Sequence, residues 1–333
     1  MARLLVTGGA GYIGSHALRA ILRAGHEAVV VDDLRAGRAD FAQGAKLVVA
    51  DIGDRAAMSA LFAAHGKVDG VLHFAASLSV AESVAKPLLY YRNNVAGTAN
   101  LLAECLAHGV RAFVLSSTAA TYGHPERQPI VDATPQAPIN PYGASKLMIE
   151  RMLADVERAH GLRWTALRYF NACGADPDGG IGECHEPEIH LIPVALEAAA
   201  GLRPKLSLFG TDYPTPDGTC VRDYIHVTDL ADAHVRAIEA LLSGGPGGGY
   251  NLGTGVGRSN REVVEGVGRV IGKAVPYENA PRRPGDPPIL VADASRFMRD
   301  FGWKPRHSDL DTIVRTAWAW LRSWKKLGGP EAP

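Results

Sequence analysis

The sequence predicts a doubly wound α/β fold: a parallel, Rossmann-type sheet with helices on both faces, carrying a smaller mixed α/β part. Three observations predict it. Short apolar runs alternate with helical patterns through the first half of the chain, a glycine-rich turn joins the first run to the first helix, and past residue 170 the alternation gives way to long loops.

Taken in order, residues 3–7 read as a strand, 12–24 as a helix and 28–32 as a second strand. Residues 46–50 form a short strand, 55–65 a helix and 68–74 a strand, followed by one long helix over 87–108. A strand at 111–116, a helix at 141–160 and a strand at 163–170 complete the regular half. These strands are apolar along their length, the pattern of strands buried on both faces in a parallel sheet. Residues 171–187 and 210–220 are rich in Gly, Pro and Asp and read as loops. Between and after them come a helix at 192–200, strands at 205–209 and 221–227, and a helix at 229–242. The glycine stretch 244–249 reads as low complexity, and a Pro-rich segment at 281–288 precedes a final pair of helices, the last near 310–321. Loops this long are usually binding loops, here expected to cover the C-terminal edge of the sheet.

The 333 residues are 47% hydrophobic, which excludes intrinsic disorder, and 35 Lys+Arg balance 35 Asp+Glu. That balance leaves no electrostatic footprint for nucleic acid or an anionic membrane, so a bound anion must be held by a local site. No run approaches the ~18 apolar residues of a membrane span, and the apolar run Leu4-Leu5-Val6 is too short for a signal peptide. Cys105, Cys173, Cys184 and Cys220 show neither close pairing nor metal-ligand spacing. The expectation is a cytoplasmic protein with reduced thiols and no metal site.

Gly8, Gly11 and Gly14, in Thr7-Gly-Gly-Ala-Gly-Tyr12-Ile13-Gly14, stand between strand and helix with the spacing of a dinucleotide fingerprint. The first allows the tight turn, the second close approach of a pyrophosphate and the third close packing of helix on strand, with the helix N-terminus facing the phosphates. Asp32 ends the second strand, where a carboxylate binds the adenine ribose hydroxyls and repels a 2′-phosphate, so NAD is expected rather than NADP. Asp33 adjoins it, and Asp51-Ile52, closing the third strand, would cover the adenine edge.

Tyr142 and Lys146 are four apart at the start of a predicted helix and so share a face. An ammonium there, helped by an oxidised nicotinamide, would lower the phenol's pKa and make Tyr142 a general base for a hydroxyl. Tyr-x-x-x-Lys also occurs as a plain surface pair. Ser116-Ser117-Thr118, ending the preceding strand at the ligand-binding edge, favours catalysis, since a hydroxyl there can serve the oxygen that exchanges a proton with Tyr142. His73, inside an apolar strand, reads as a satisfied core histidine, while Asn94 and Asn171 stay open.

These motifs, with Tyr169-Phe-Asn171 and Arg222-Asp-Tyr-Ile-His226, resemble the extended short-chain dehydrogenase/reductase superfamily. Phe209-Gly-Thr-Asp-Tyr-Pro-Thr215, Asp217-Gly-Thr219 and Arg283-Pro-Gly-Asp286 are more specific, and through them the chain looks like the 4-epimerases of UDP-glucose and UDP-galactose. The resemblance implies that residues 1–172 bind NAD, with 221–243 packing back onto them, and that 173–220 and 244–333 bind the UDP-sugar. It implies an isomerase in which Tyr142 takes the proton of the C4 hydroxyl while NAD takes and returns the C4 hydride. Thr118 would share the bond to that oxygen, and Lys146 would hold the nicotinamide ribose. Phe74, Ala75, Ala76, Asn94, Ser116 and Tyr169 would complete the cofactor site. Asn171, His190, Leu191, Phe209, Arg222, Arg283 and Asp286 would complete the substrate site, the two arginines clamping the diphosphate.

Three positions depart from the family. Leu78 stands where many members have a Lys against the pyrophosphate, His190-Leu191 where some have Asn-Leu, and Leu290 where bulk limits the sugar pocket. Rival readings are a 4-epimerase of a UDP-pentose or UDP-N-acetylhexosamine, a 4,6-dehydratase, and a non-enzymatic NAD sensor. The dehydratase would need Asp-Glu where this chain has Ala119-Ala120, and the sensor would not need Tyr142, Lys146 and Thr118 together. The resemblance also implies a homodimer pairing helices near 92–108 and 142–158, with Leu101, Leu102, Leu147 and Leu153 either at that contact or in the monomer core.

Overall fold

The computed structural model describes residues 1–283 and 285–327. In its first half the apolar runs become strands β1 (Arg3–Thr7), β2 (Glu27–Asp32), β3 (Lys46–Val49), β4 (Gly70–His73), β5 (Ala112–Thr118) and β6 (Arg163–Tyr169). The helices between them are α1 (Tyr12–Arg23), α2 (Arg55–His65), α3 (Val80–Ala85), α4 (Pro87–Tyr90), α5 (Gly97–Ala107) and α6 (Pro141–His160). The second half contributes β7 (Asn171–Cys173), α7 (Leu191–Ala199), β8 (Leu206–Phe209), β9 (Val221–His226), α8 (Val227–Leu242) and β10 (Gly248–Leu252). It ends with β11 (Gly257–Ser259), α9 (Asn260–Ile271), β12 (Tyr277–Ala280), β13 (Ile289–Leu290), α10 (Ser295–Phe301) and α11 (Leu310–Trp324).

Among the described residues, seven parallel strands form the main sheet in the order β10-β6-β5-β4-β1-β2-β3. The order reverses between β1 and β4, which opens a crevice at the carboxyl ends of the strands. Leu18 and Ile21 of α1, with Leu230, Ile238 and Leu241 of α8, bury one face of the sheet. Met58 and Phe62 of α2, Leu101 and Leu102 of α5, and Ile149 and Leu153 of α6 bury the other. Each such side chain contributes about 1.5–3 kcal/mol on burial.

The elements α3, β7, β11, α9, β12 and β13 have no counterpart in the sequence expectation, and two further differences bear on the site. The helix expected over 87–108 is broken into α4, a π-helical turn at Tyr91–Ala96, and α5. π-turns concentrate at functional sites, and this one carries Asn94. The glycine stretch hides a strand: β10 pairs with β6 at the edge of the main sheet, although 244–333 is assigned above to the other part of the chain. Glycine is needed there because a Cβ on Gly247 would lie 2.6 Å from the Trp164 carbonyl oxygen and one on Gly249 2.3 Å from the Arg168 guanidinium. Small residues that permit this approach leave no apolar pattern to read.

The leucines considered for a dimer contact face inward. Leu101, Leu102 and Leu153 belong to the core under the sheet, and Leu147 is buried. Apolar side chains left exposed on the neighbouring helices include Val80, Val84, Leu88 and Met148.

The smaller part joins β7, β9, β11 and β13 in one sheet and β8 with β12 in another, over a core shared by α7, α9 and α11. Its framework is pinned by acids within the motifs. Asp223 accepts from Thr254 N, Gly255 N and Ala292 N, and Asp217 accepts from Thr219 N. The Arg222–His226 motif thus contributes Asp223 to the fold, and His226 caps α8 by accepting from Thr228 N.

Candidate active site

Thr7, Asp32, His73, Thr118 and Tyr169 end their strands on the same edge of the sheet, so the candidate residues gather in the crevice by topology alone. Gly8 has φ +69°, and a Cβ on it would sit 2.5 Å from the Ala75 nitrogen; one on Gly14 would sit 2.1 Å from the Gly8 oxygen. Gly11 differs. A Cβ there meets only the Gly8 oxygen, at 3.3 Å, so its outer side is open. No side chain caps α1 and its first turn has no acid, leaving the helix end free for an anion.

The Asp32 carboxylate accepts from Ala10 N at 3.0 Å and Leu34 N at 2.9 Å. Burial raises its pKa while those two donors pull it down. Gly37 covers it, where a Cβ would lie 2.7 Å from a carboxylate oxygen. Asp33 and Asp51 both face Arg35, at 2.5 and 3.5 Å. The open Gly11, the uncapped helix and the cradled acid fit a dinucleotide. The side chains of Tyr12, Ile13 and Ile52 have partners within the chain: the Tyr12 hydroxyl donates to the Gly174 oxygen at 2.6 Å, the partly buried Ile13 packs against the core and Ile52 is buried against Gly97.

Around the mouth of β4, Phe74 N donates to the Thr7 oxygen and Ala75 packs on Gly8; Ala76 follows in the same turn. His73 is buried with Thr7 Oγ1 at 2.6 Å and Thr98 Oγ1 at 2.8 Å, and burial, with Lys146 nearby, drives its pKa to about 3. Asn94 accepts from Ser77 N at 2.8 Å and donates to Ser77 O and to Ser145 Oγ at 3.0 Å, clamping the loop after β4 to α6.

α6 starts sharply: Asn140 accepts from Gly143 N and Pro141 sets the first turn. Tyr142 therefore sits in that turn beside the end of β5, where the nearby Thr118 side chain acts to lower the pKa of its hydroxyl. Thr118 Oγ1 already accepts from Ala120 N at 3.1 Å, so its proton is left to donate to the phenol oxygen. Lys146 is buried and donates to the Ser116 carbonyl at 2.7 Å; burial lowers its pKa to about 8. Ser116 Oγ hydrogen-bonds the Tyr169 hydroxyl.

One expectation is corrected here. Burial raises the Tyr142 pKa, and the Thr118 side chain opposes it only in part. Lys146 aims its charge at Ser116, so the ammonium alone does not produce a lowered phenol.

On the substrate side, Arg222 lies 3.3 Å from Asp286, and the Arg283 guanidinium sits 4.0 Å above the Phe209 ring. Leu290 pairs with Arg222 across β13 and β9, and Asn171 pairs with Tyr224 across β7 and β9. Leu191 opens α7, while His190 turns its Nδ1 to Glu183 at 2.5 Å. Leu78 is exposed.

Sequence reasoning missed a buried layer under the site. Glu150 pairs with Arg168 at 2.6 Å and accepts from Ser117 Oγ at 2.5 Å, and Arg168 donates to the Tyr122 hydroxyl at 2.8 Å. Glu150 follows Lys146 by one helical turn, a spacing visible in the sequence. His234, buried on α8, packs against Phe74 and Tyr169, with no hydrogen-bond partner for Nε2 among the described residues.

Residues 4–253 match the NAD dependent epimerase/dehydratase family. The UDP-glucose 4-epimerase of Azospirillum brasilense is 55% identical over 328 residues, covering 98% of this chain and 94% of that protein. The crystal structure of UDP-glucose 4-epimerase from Brucella ovis in complex with NAD superposes with a TM-score of 0.93 at 50% identity, covering 96% of this chain and 98% of that one. The Bifidobacterium longum UDP-glucose 4-epimerase in complex with NAD+ and UDP superposes with a TM-score of 0.91 at 37% identity, covering 98% of this chain and 100% of that one.

Proposed function

Because this chain belongs to the NAD dependent epimerase/dehydratase family, we propose that it inverts C4 of a UDP-hexose, interconverting UDP-galactose and UDP-glucose. The observation that carries the reading is the anchoring of Lys146, one turn after Tyr142 on α6, to the Ser116 carbonyl of the strand that ends in Thr118.

Bound at Gly8–Gly14 and Asp32, NAD supplies the acceptor and donor of the C4 hydride. Tyr142 takes the proton of the C4 hydroxyl, and Thr118 donates to the same oxygen as it becomes a carbonyl. A buried phenol resists ionisation, so the positive charges of Lys146 and of the oxidised nicotinamide together shift Tyr142 toward phenolate. Arg222 and Arg283 hold the diphosphate while the 4-keto sugar turns its other face, and Tyr142 then returns the proton. Phe209, Asp286, Asn171 and Leu191 frame the uridine and the sugar. Ala119 and Ala120, next to Thr118, carry no proton, which weighs against dehydration across C5 and C6.

The same reading extends to a cytoplasmic homodimer. No helix among the described residues is long and apolar enough to cross a membrane. Val84, Leu88 and Met148, exposed on neighbouring helices, supply the apolar face for a second copy.

The test is to give the purified protein UDP-galactose with no added cofactor and follow the sugar by NMR. UDP-glucose is the expected product; no turnover by protein whose bound NAD is verified by release would overturn the sugar assignment.

A further inference from the structure

Outside the crevice, the segment between β7 and α7 folds four ligand-bearing side chains onto one point. Glu183, His185, Glu188 and His190 each direct one candidate donor atom inward, and these atoms all lie within 4.8 Å of one another. Glu183 Oε1 is 2.5 Å from His190 Nδ1 and 3.1 Å from His185 Nδ1; Glu188 oxygens lie 3.5 Å from His190 Nδ1 and 3.9 Å from His185 Nδ1. Both carboxylates are buried, at 5% and 6% side-chain exposure, and His185 Nδ1, although close to Glu183, is buried with no well-angled hydrogen bond among the described residues.

We propose that Glu183, His185, Glu188 and His190 bind one divalent first-row transition cation, zinc by preference. Two carboxylates and two neutral imidazoles carry two negative charges between them, which one divalent ion neutralises. Mixed nitrogen and oxygen donors suit zinc, whereas magnesium and calcium favour oxygen alone. Zinc bonds of about 2.0–2.1 Å place tetrahedral ligands about 3.4 Å apart. Reaching that spacing widens the 2.5 and 3.1 Å separations from Glu183 Oε1 and closes the longer ones, which run to no more than 4.8 Å.

The surroundings are those of a held site. Glu188 Oε1 is oriented by Ile189 N and His190 N at 2.8 and 3.0 Å, and the Glu183 carbonyl accepts from Trp320 Nε1 at 2.6 Å. Such outer bonds fix ligand directions. His190, 41% exposed, leaves the ion a way in from solvent. The His185 ring meets the edge of Tyr12 at 6.3 Å, so an ion here pins the 183–190 segment against the start of α1. Its role is structural. Cysteine spacing could not reveal it, because Cys184 is absent from the cluster.

The test loads the full, tag-free chain with zinc chloride, removes free metal by gel filtration and counts zinc by mass spectrometry. About one zinc per chain is expected, with X-ray absorption showing nitrogen and oxygen at about 2.0–2.1 Å, an imidazole pattern and no sulfur at about 2.3 Å. Zinc should be lost in His185→Gln/His190→Gln and kept in Cys184→Ser. A content far below one, a sulfur ligand, or full zinc in the folded double variant overturns the proposal. The spectrum of the unmutated protein decides the matter even where the double variant misfolds.

Discussion

Lys146 donates from Nζ to the Ser116 carbonyl across 2.7 Å, so one buried ammonium ties the first turns of α6 to the end of β5. The bond fixes Tyr142 and Thr118 relative to each other, because each sits on one of the two joined elements. Two effects are expected. Tyr142→Phe lowers turnover roughly 10²-fold or more while NAD stays bound. Lys146→Met also shifts the rising limb of kcat against pH to higher pH, because the base must be phenolate and a cation favouring it is gone. An unmoved limb would assign Lys146 to positioning alone.

Gly11 and Gly14 should separate binding from folding. At Gly14 a Cβ meets the Gly8 oxygen at 2.1 Å, so Gly14→Ala must distort the loop and lower Tm. At Gly11 a Cβ meets that oxygen at 3.3 Å with φ −81°, so Gly11→Ala costs the fold no more than about 1 kcal/mol. The added methyl occupies the face left for the pyrophosphate, and the expected loss of NAD affinity is about tenfold or more. Calorimetric titration and thermal unfolding of both variants give the comparison.

The alternation of strands with helices, the glycine loop and Tyr142 with Lys146 are legible in the sequence because each rests on local spacing. β10 is not, since Gly248 and Gly249 carry no apolar signal and their place is set by Arg168 across the strand pair. The direction of the Tyr142 shift is not either, because burial depends on how much chain folds over the residue. His190 reads as a substrate contact from its neighbours in the chain, whereas folding turns it to Glu183, a partner fixed by loop geometry. Leu101 and Leu153 show the same limit: a leucine stripe marks an apolar face without saying what covers it.

Glu150→Gln is expected to lower the unfolding free energy by about 3–5 kcal/mol, because it leaves the Arg168 guanidinium buried without its counter-charge. Urea unfolding would show a lower midpoint with an unchanged slope. Glu150→Gln combined with Arg168→Leu should recover part of the loss, as the uncompensated charge is then gone.

Arg283 over Phe209 is placed to bind rather than to react. Arg283→Ala should raise KM for the UDP-sugar about 10- to 100-fold with kcat little changed, the sign of contacts kept equally in ground and transition states. A fall in kcat at constant KM would give the residue a different role.

Acid should destabilise the protein earlier than its carboxylates alone would. His16, His73, His226 and His234 are buried, and burial, the leading cause at each, lowers their pKa values to about 4, 3, 3 and 4. The unfolded chain takes up these protons near pH 6.5, whereas the folded chain refuses them until pH 3–4. Above pH 6.5 all four are neutral in both states and add no slope. Below it the unfolded state binds more protons, so stability falls as pH falls, by about 1.4 kcal/mol per pH unit for each histidine. Denaturant unfolding between about pH 7 and about pH 5 should therefore show a loss of several kcal/mol. Because His16 Nε2 has no hydrogen-bond partner among the described residues, His16→Gln should shed one histidine's share of that slope. A flat profile over this window would mean that the folded chain accepts these protons as readily as the unfolded one.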